Sequence, residues 1–597
     1  MPMLNEHNLP DWDLTHLYEG PQSTALKSDL EEAAKRAKIF FEGYAGKLEG
    51  LDGAAFGLAI VEYEGISEIL QRTMSYGQLL FATNTSDSDI GQFYQTLQEK
   101  VTDISLETLF FTLEINRLSD ENLNQKLSVG SAGRYLPWIN EIRQYRPHQL
   151  SDDLEKLLHE KSVTGRSAWV RLFEETFSDM RFDVEGIADN MTQSEVMNLL
   201  SDKSSDKRKA ASQAFGKVLG ENIRLLSLVT NTLAKDKEIE DRWRHFDRPV
   251  SDRNLANQVE DEVVDALVKS VRSSFEDLSH RYYKLKAKWF GKEVLDYWDR
   301  NAPLPDDTSK LYSWDEAKNV VLEAYGAFTP QMAEIAKRFF DENWIDARPR
   351  EGKDSGAFSH PVVPSAHPYI LLNFHGKARD VMTLAHELGH GVHQVLAADQ
   401  GTLMADTPLT TAETASVFGE MLTFRKMVHD ENDPSRRKIL IAGKVEDMLN
   451  TVVRQVAFHE FERRVHDERK SGELSANRLG EIWIDVQRES LGPAIRFDDA
   501  YKNYWAYIPH FVHTPFYVYA YAFGDCLVNS LYGVFAGGHA GFQDKYIEML
   551  SAGGTKRHKE LLAPFSLDAT DPNFWTEGLN VVRGFIDELE AMDDAAI

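Results

Sequence analysis

A chain that spells His386-Glu387-Leu388-Gly389-His390 is constrained most by the geometry those five residues need if they are to act together. On an α-helix two imidazoles four residues apart point the same way. They can then share one divalent metal, while the glutamate beside the first stays within reach of the open coordination position. The flanking sequence supplies such a helix. Val381, Leu384, Ala385, Leu388, Val392, Val395 and Leu396 follow the i, i+3, i+4, i+7 pattern, giving an apolar face for a core and leaving a second face for the histidines. The segment reads as the metal-binding helix of a zinc hydrolase. The competing reading is two ordinary histidines on a core or surface helix.

Catalytic zinc usually takes three protein ligands and keeps a fourth position for water, so one ligand is missing. His393 falls on nearly the same stripe, but at ~1.5 Å rise per residue it lies about 10 Å along the axis from His386, too far for bonds of ~2 Å. The third ligand must come from another element. The run 409–424 (LTTAETASVFGEMLTF), after the break at Thr407-Pro408, reads as a second helix with Glu413 and Glu420 on one stripe. Either can serve. Glu413 also fits a capping box with Thr410, in which it would satisfy the helix's own amide, and Glu420 also fits a solvated helix face.

Taken together, HELGHGVHQ and TAETASVFGEML resemble the thimet oligopeptidase and oligoendopeptidase F family of zinc peptidases. The resemblance implies that Glu413, in Ala412-Glu413-Thr414-Ala415-Ser416, is the third ligand of one zinc ion per chain, and that Glu420 orients a ligand histidine. It extends along the chain. Residues 9–18 (LPDWDLTHLY) resemble the W-D-L-x-x-L-Y opening of the oligoendopeptidase F branch, and 199–211 and 296–304 echo it further. The stretches 355–358 and 365–374 match a strand-bearing region that borders the cleft in the family. There Gly356, Ala357 and Tyr369 are expected to bind substrate, an exposed strand edge pairing with peptide backbone.

A second chemical constellation lies at 507–521 (YIPHFVHTPFYVYAY), dense in histidine and tyrosine. From composition alone it reads as a buried aromatic segment. The family carries a histidine and tyrosines here that reach over the substrate, which places His510, Tyr517 and Tyr521 in that wall, with His510 and Tyr521 stabilising the oxyanion. If this stretch is helical, Tyr517 and Tyr521 share a face and Tyr519 points elsewhere.

At 597 residues the chain exceeds the limit of about 250 to 300 for a single core, so at least two lobes are expected. Long, charged, glycine-poor helical patterns at 28–44, 54–82, 90–118, 206–243 and 260–289 make the fold class mainly α. Strand signals are few, at 346–350 and 368–374, and the acidic end from 587 is expected to fray. With the family's domain order, an N-terminal helical lobe spans 1–197 and a catalytic lobe 198–597. The resemblance further implies a deep channel between lobes, a small sheet beside the zinc-binding helix, and access restricted to short or unfolded peptides. A net charge of −29 argues against nucleic acid and anionic membrane partners. A single cysteine, Cys526, and the absence of an apolar signal core or a ~20-residue apolar run point to the cytoplasm.

The function these readings imply is endopeptidic hydrolysis with Glu387 as general base. A metallocarboxypeptidase trimming C-terminal residues and a peptide-binding scaffold with a structural metal are the alternatives. Oligomeric state leaves no signal in the chain.

Overall fold

Capping residues set where the long N-terminal helices begin. Ser23, Asp52 and Asp87 each accept a backbone N–H from the first turn of α1 (Thr24–Tyr44), α2 (Gly53–Thr83) and α3 (Ser88–Arg117), so each helix starts slightly ahead of its apolar pattern. Their apolar stripes meet in a core that includes Ala37, Phe40, Ile60, Phe111 and Ile115. The structure, a computed structural model, describes residues 9–162, 164–305 and 310–595.

The chain is mainly α and divides into two compact units, one of 1–146, 309–430 and 538–566, the other of 147–308, 431–537 and 567–597. These are not the successive segments 1–197 and 198–597. The chain leaves the first unit after Arg146 and returns to it twice, because its N-terminal helices share a core with later segments. Trp12, Leu17, Tyr18, Tyr76 and Leu79 pack with Val362, Val363, Tyr369 and Leu371 in one cluster.

In the first unit α4 (Trp314–Phe328) and α5 (Pro330–Asp341) lead into a small sheet of β1 (Ile345–Asp346), β2 (Phe358–His360) and β3 (Tyr369–Leu371). Its order is β1-β3-β2, with β1 parallel and β2 antiparallel to the central β3; Ser359 lies opposite Ile370. The sheet packs beside α6 (Ala378–Ala397), the helix that carries the histidines, as expected. α7 (Thr414–Asp430) packs along α6, and α8 (Phe542–Ser551) also contacts it.

The second unit is built on the 39-residue helix Ser205–Trp243, against which the 3-10 helix Asp499–Tyr507 packs. The helical pattern at 260–289 is not continuous. It breaks into Asp261–Ser273 and Arg281–Trp289 around a π turn at Glu276–His280, where Ser279 turns its hydroxyl onto the Phe275 carbonyl. The acidic end does not fray over its described part. Helix Pro572–Ala595 buries Phe585, Ile586 and Leu589, and Asp593 pairs with Lys438 at 2.7 Å and accepts the Trp289 indole N–H. Residues 596–597 lie outside the described residues. Cys526 is buried in the apolar helix Tyr519–Ala536, and no helix among the described residues is long and apolar enough to cross a membrane.

Trp12 ties the N-terminus to the sheet, its ring 5.7 Å from Tyr369 in an edge-on contact and 6.4 Å from Phe358. Trp12→Ala is expected to destabilise the first unit by about 3 to 5 kcal/mol, the usual range for emptying a buried aromatic site. Limited proteolysis and thermal unfolding should both show the loss; an unchanged melting profile would rule the anchor out.

Candidate metal centre

Helix α6 is fixed at its start by Asp380, whose carboxylate accepts the backbone N–H groups of His375 at 2.8 Å and Lys377 at 3.0 Å. Val381, Leu384, Ala385, Leu388 and Val392 bury the apolar stripe as the sequence predicts. His386 and His390 project from the other face, ring centroids 4.9 Å apart and inclined at 78°.

Glu413 reaches them from the second helix, but not from its interior. The run 409–424 is a short turn, Leu409–Ala412, followed by α7, and Glu413 stands at the junction with φ −76° and ψ 0°, its carbonyl accepting the Val417 amide. The capping box with Thr410 does not take up its carboxylate. Oε2 instead lies 3.3 Å from His386 Nε2 and 3.4 Å from His390 Nε2, and accepts the Ser416 hydroxyl at 2.7 Å. One donor atom from each of His386, His390 and Glu413 lies within 4.8 Å of the others, a grouping suited to a metal ion. Two imidazole nitrogens and a carboxylate oxygen are the donor types zinc takes in a catalytic site.

Glycine allows the two helices to meet there. A Cβ on Gly389 would fall on the Ala415 carbonyl oxygen and 2.6 Å from the Ser416 Cα, so any side chain would push Glu413 away from the imidazoles.

Glu420 lies on the far side of His386, Oε2 3.2 Å from Nδ1. With Nδ1 facing that carboxylate, Nε2 is turned toward Glu413. Burial works to lower the His386 pKa, but Glu413 and Glu420 outweigh it and push the imidazole up to about 10. The converse holds at Glu413, where burial opposes ionisation and the two histidines nonetheless hold the carboxyl well below its usual range. The pocket is thus arranged for positive charge at its centre.

Glu387 is buried, 6% exposed, which raises its carboxyl above the ordinary value despite the two histidines. The Ser359 amide of β2 faces it and works in the opposite direction, to lower it. His393 is no ligand: it is buried, burial lowers its pKa to about 4, and it interacts with the Thr407 hydroxyl at 3.3 Å and the backbone of Ala412. It steadies the segment leading to Glu413.

Of the expected substrate-binding residues, Gly356 and Ala357 are exposed just ahead of the edge strand β2. Tyr369 is not on that surface. It is buried in the central strand, and its hydroxyl donates to the Asp13 carbonyl at 2.9 Å, so its phenol serves packing.

The second constellation forms within the second unit. His510 Nε2 lies 3.2 Å from the Tyr521 hydroxyl, and the rings of His510, Tyr517 and Tyr521 have centroid separations of 5.3 to 6.2 Å. Tyr517 precedes the helix, in a turn where Phe516 adopts φ 61° and donates its amide to the buried Glu462 at 2.8 Å. Tyr519 points away as expected, buried, its hydroxyl accepting from Asn257 at 2.8 Å. Burial lowers the His510 pKa, aided by His513 and Arg454. Tyr521 remains 37% exposed, with its hydroxyl at the cluster's edge.

Sequence reasoning missed Tyr325, whose buried hydroxyl donates at 2.5 Å to the Ala385 carbonyl beside His386 and fills the space left by Gly419. It missed Gln394 as well. That side chain accepts from the Ser359 hydroxyl at 2.8 Å and donates to the Ser359 carbonyl at 3.1 Å, fastening β2 to α6. Tyr325 leaves no local signal because it comes from a helix 60 residues upstream.

Residues 198–581 match the profile of peptidase family M3, and 114–182 match that of oligopeptidase F. The chain is 28% identical to oligopeptidase PepF of Bacillus subtilis (strain 168), with 97% of this chain and 87% of that one covered. It is 25% identical to an oligoendopeptidase F homolog of Borreliella burgdorferi, covering 98% and 99%. A solved chain from Chlamydophila abortus has the same fold at a TM-score of 0.87 and 21% identity, covering 99% and 100%. Oligoendopeptidase-F from Enterococcus faecium superposes with a TM-score of 0.69 at 20% identity, covering 96% and 98%.

The geometry separates the two glutamates. Glu413→Ala should abolish tight zinc binding, whereas Glu420→Ala should weaken it by about 10- to 100-fold, the usual effect of losing a group that orients a ligand. Titration against a competing chelator reads the difference, and equal or reversed affinities would move the ligand role to Glu420.

Proposed function

The chain belongs to peptidase family M3, and from that premise we propose that it is a zinc-dependent endopeptidase that hydrolyses internal bonds of short or unfolded peptides. Membership makes it a metallopeptidase; the metal's identity and the internal cut are the proposal. The observation that carries it is the convergence of His386, His390 and Glu413 with Glu387 one residue from the first ligand. The names of its relatives, oligopeptidase and oligoendopeptidase, support short peptides as the substrate class.

His386, His390 and Glu413 would hold the zinc, which would supply Lewis acidity toward a water and the scissile carbonyl. Glu387 takes the proton from the attacking water and delivers it to the leaving amine. Burial raises its carboxyl, which brings its affinity for a proton closer to that of the groups it exchanges with. Glu420, through Nδ1 of His386, holds the ring in the tautomer whose Nε2 is free to ligate. Peptide backbone is assigned to the exposed stretch at Gly356 and Ala357, where an added strand would replace the bonds that Gly356 makes to Asp354 and Asn373. His510 and Tyr521 are assigned to the oxyanion, with Tyr517 beside them holding substrate; neutral imidazole and phenol hydroxyl are suitable donors. A reducing cytoplasm suits a chain whose one cysteine is buried and unpaired.

Glu387→Gln should keep its zinc and lose nearly all turnover, so metal content and activity separate; activity within a few-fold of the parent would remove Glu387 from the proton transfer. Mass spectrometry of the parent's products from a mixed peptide library should show internal cuts, and C-terminal trimming alone would favour a carboxypeptidase.

Replacing His510 or Tyr521→Phe should lower kcat and kcat/KM together by about 10²- to 10³-fold with little change in KM or zinc content. Tyr519→Phe should instead lower the melting temperature while leaving kcat alone, since it removes the hydroxyl that accepts from Asn257. Normal kcat in Tyr521→Phe would take that residue out of the mechanism.

A further inference from the structure

A cavity of about 510 Å³ runs along α6 within the first unit, with His390 on its wall. That volume is ordinary for a ligand site. Trp344 and the loop after β2 supply apolar surface, and Gln394 and Thr407 contribute polar groups. Val362, in that loop, is held at φ 63°, a conformation β-branched residues rarely adopt and one that recurs at ligand-binding walls.

Charge on the wall is one-sided. Asp406 is the one carboxylate among the lining residues, and among the described residues no hydrogen-bond donor or cation pairs with its side chain. The lining cation, Arg338, is already engaged, 3.1 Å from Glu342 and stacked over Trp344. Two further lining histidines carry no compensating charge. Burial lowers the pKa of His367, which also contacts His16 at 3.0 Å, and lowers that of His393 to about 4. Asp406 itself is exposed where it meets the cavity, and crowding by the protein around it pushes its carboxyl above the usual range.

We propose that this cavity is a side-chain subsite of the peptidase and that Asp406 selects a cationic side chain, lysine or arginine, from the bound peptide. The proposal rests on the peptidase reading above. A lysine or arginine stem would lie along the apolar wall while its charged head meets Asp406. An acidic side chain would bring like charges together beside Asp406 and would be disfavoured.

The test uses the full-length, zinc-loaded enzyme and one fluorogenic peptide scaffold carrying lysine, norleucine or glutamate in turn at successive positions on either side of the cut. One position should favour lysine over norleucine in kcat/KM by roughly 10- to 100-fold. In Asp406→Asn that ratio should fall to near one, and in Asp406→Lys glutamate should become the preferred residue. Because each ratio is taken within one preparation, partial misfolding of a variant does not affect it. Asp399→Asn, an exposed acid outside the cavity lining, should keep the parent's ratio. A parent with no cationic preference at any position, or a preference that survives Asp406→Asn, would overturn the proposal. Binding of the same peptides to the Glu387→Gln protein, read by fluorescence anisotropy, keeps the two readings apart. Lysine-selective, Asp406-dependent binding without cleavage by the parent would sink the peptidase reading and support the subsite, and cleavage without selectivity would do the reverse.

Discussion

The site depends on one backbone contact. Gly389 lets α6 come against the start of α7 so closely that no β-carbon fits between them, and this approach brings Glu413 within 3.3 to 3.4 Å of both imidazoles. A second close contact supports it, because Gly419 leaves room for the Tyr325 hydroxyl that reaches the Ala385 carbonyl. Both glycines exchange helix propensity, about 1 kcal/mol each relative to alanine, for a contact that a larger residue would forbid. The junction at Glu413 follows from the same demand. A glutamate deep inside a regular helix would project from that helix's own surface, whereas one at the junction is aimed by the turn before it, and that turn is steadied by His393.

The charge arrangement that results is costly without a cation. Three carboxylates, Glu387, Glu413 and Glu420, surround two imidazoles, and desolvation opposes ionisation at Glu387 and Glu413. Glu413 and Glu420 drive the His386 pKa upward against its burial. A divalent ion would replace the proton so drawn, since ligation requires neutral imidazole and ionised carboxylate. The direction of these shifts, with His386 drawn up and Glu413 drawn down, is what a pocket built around positive charge produces when only protons are available to supply it.

The sequence made the ligand helix legible because three signals agreed at one place: the spacing of His386 and His390, the apolar stripe, and Glu387 beside the first histidine. The mainly α class and the windows of the long helices were legible for the same reason, as periodicity is a local property. The junction before α7 and the π turn near Ser279 were not, because each departs from regular helix by a few dihedrals that tertiary contacts impose. Tyr369 was misread through the same limit: a tyrosine in a strand looks the same whether the strand is central or at an edge, and only its partners β1 and β2 decide. The two compact units were hidden more deeply, since their boundaries depend on which distant segments share a core. No local composition marks the return of the chain at 309 or 538.

Ser359 shows how the sheet limits the chemistry beside it. In an antiparallel pair alternate residues turn both backbone polar groups outward, and those of Ser359 face α6. Its amide meets Glu387 and its carbonyl meets Gln394. The outer edge of β2 is therefore already occupied at its middle residue, and ahead of the strand the Gly356 amide donates to Asp354 while its carbonyl accepts from Asn373. Trp12 packs on Phe358 of this strand and on Tyr369 of its neighbour β3. The N-terminal W-D-L segment and the helix of the histidine motif, more than 370 residues apart in the chain, thus both bear on one short strand.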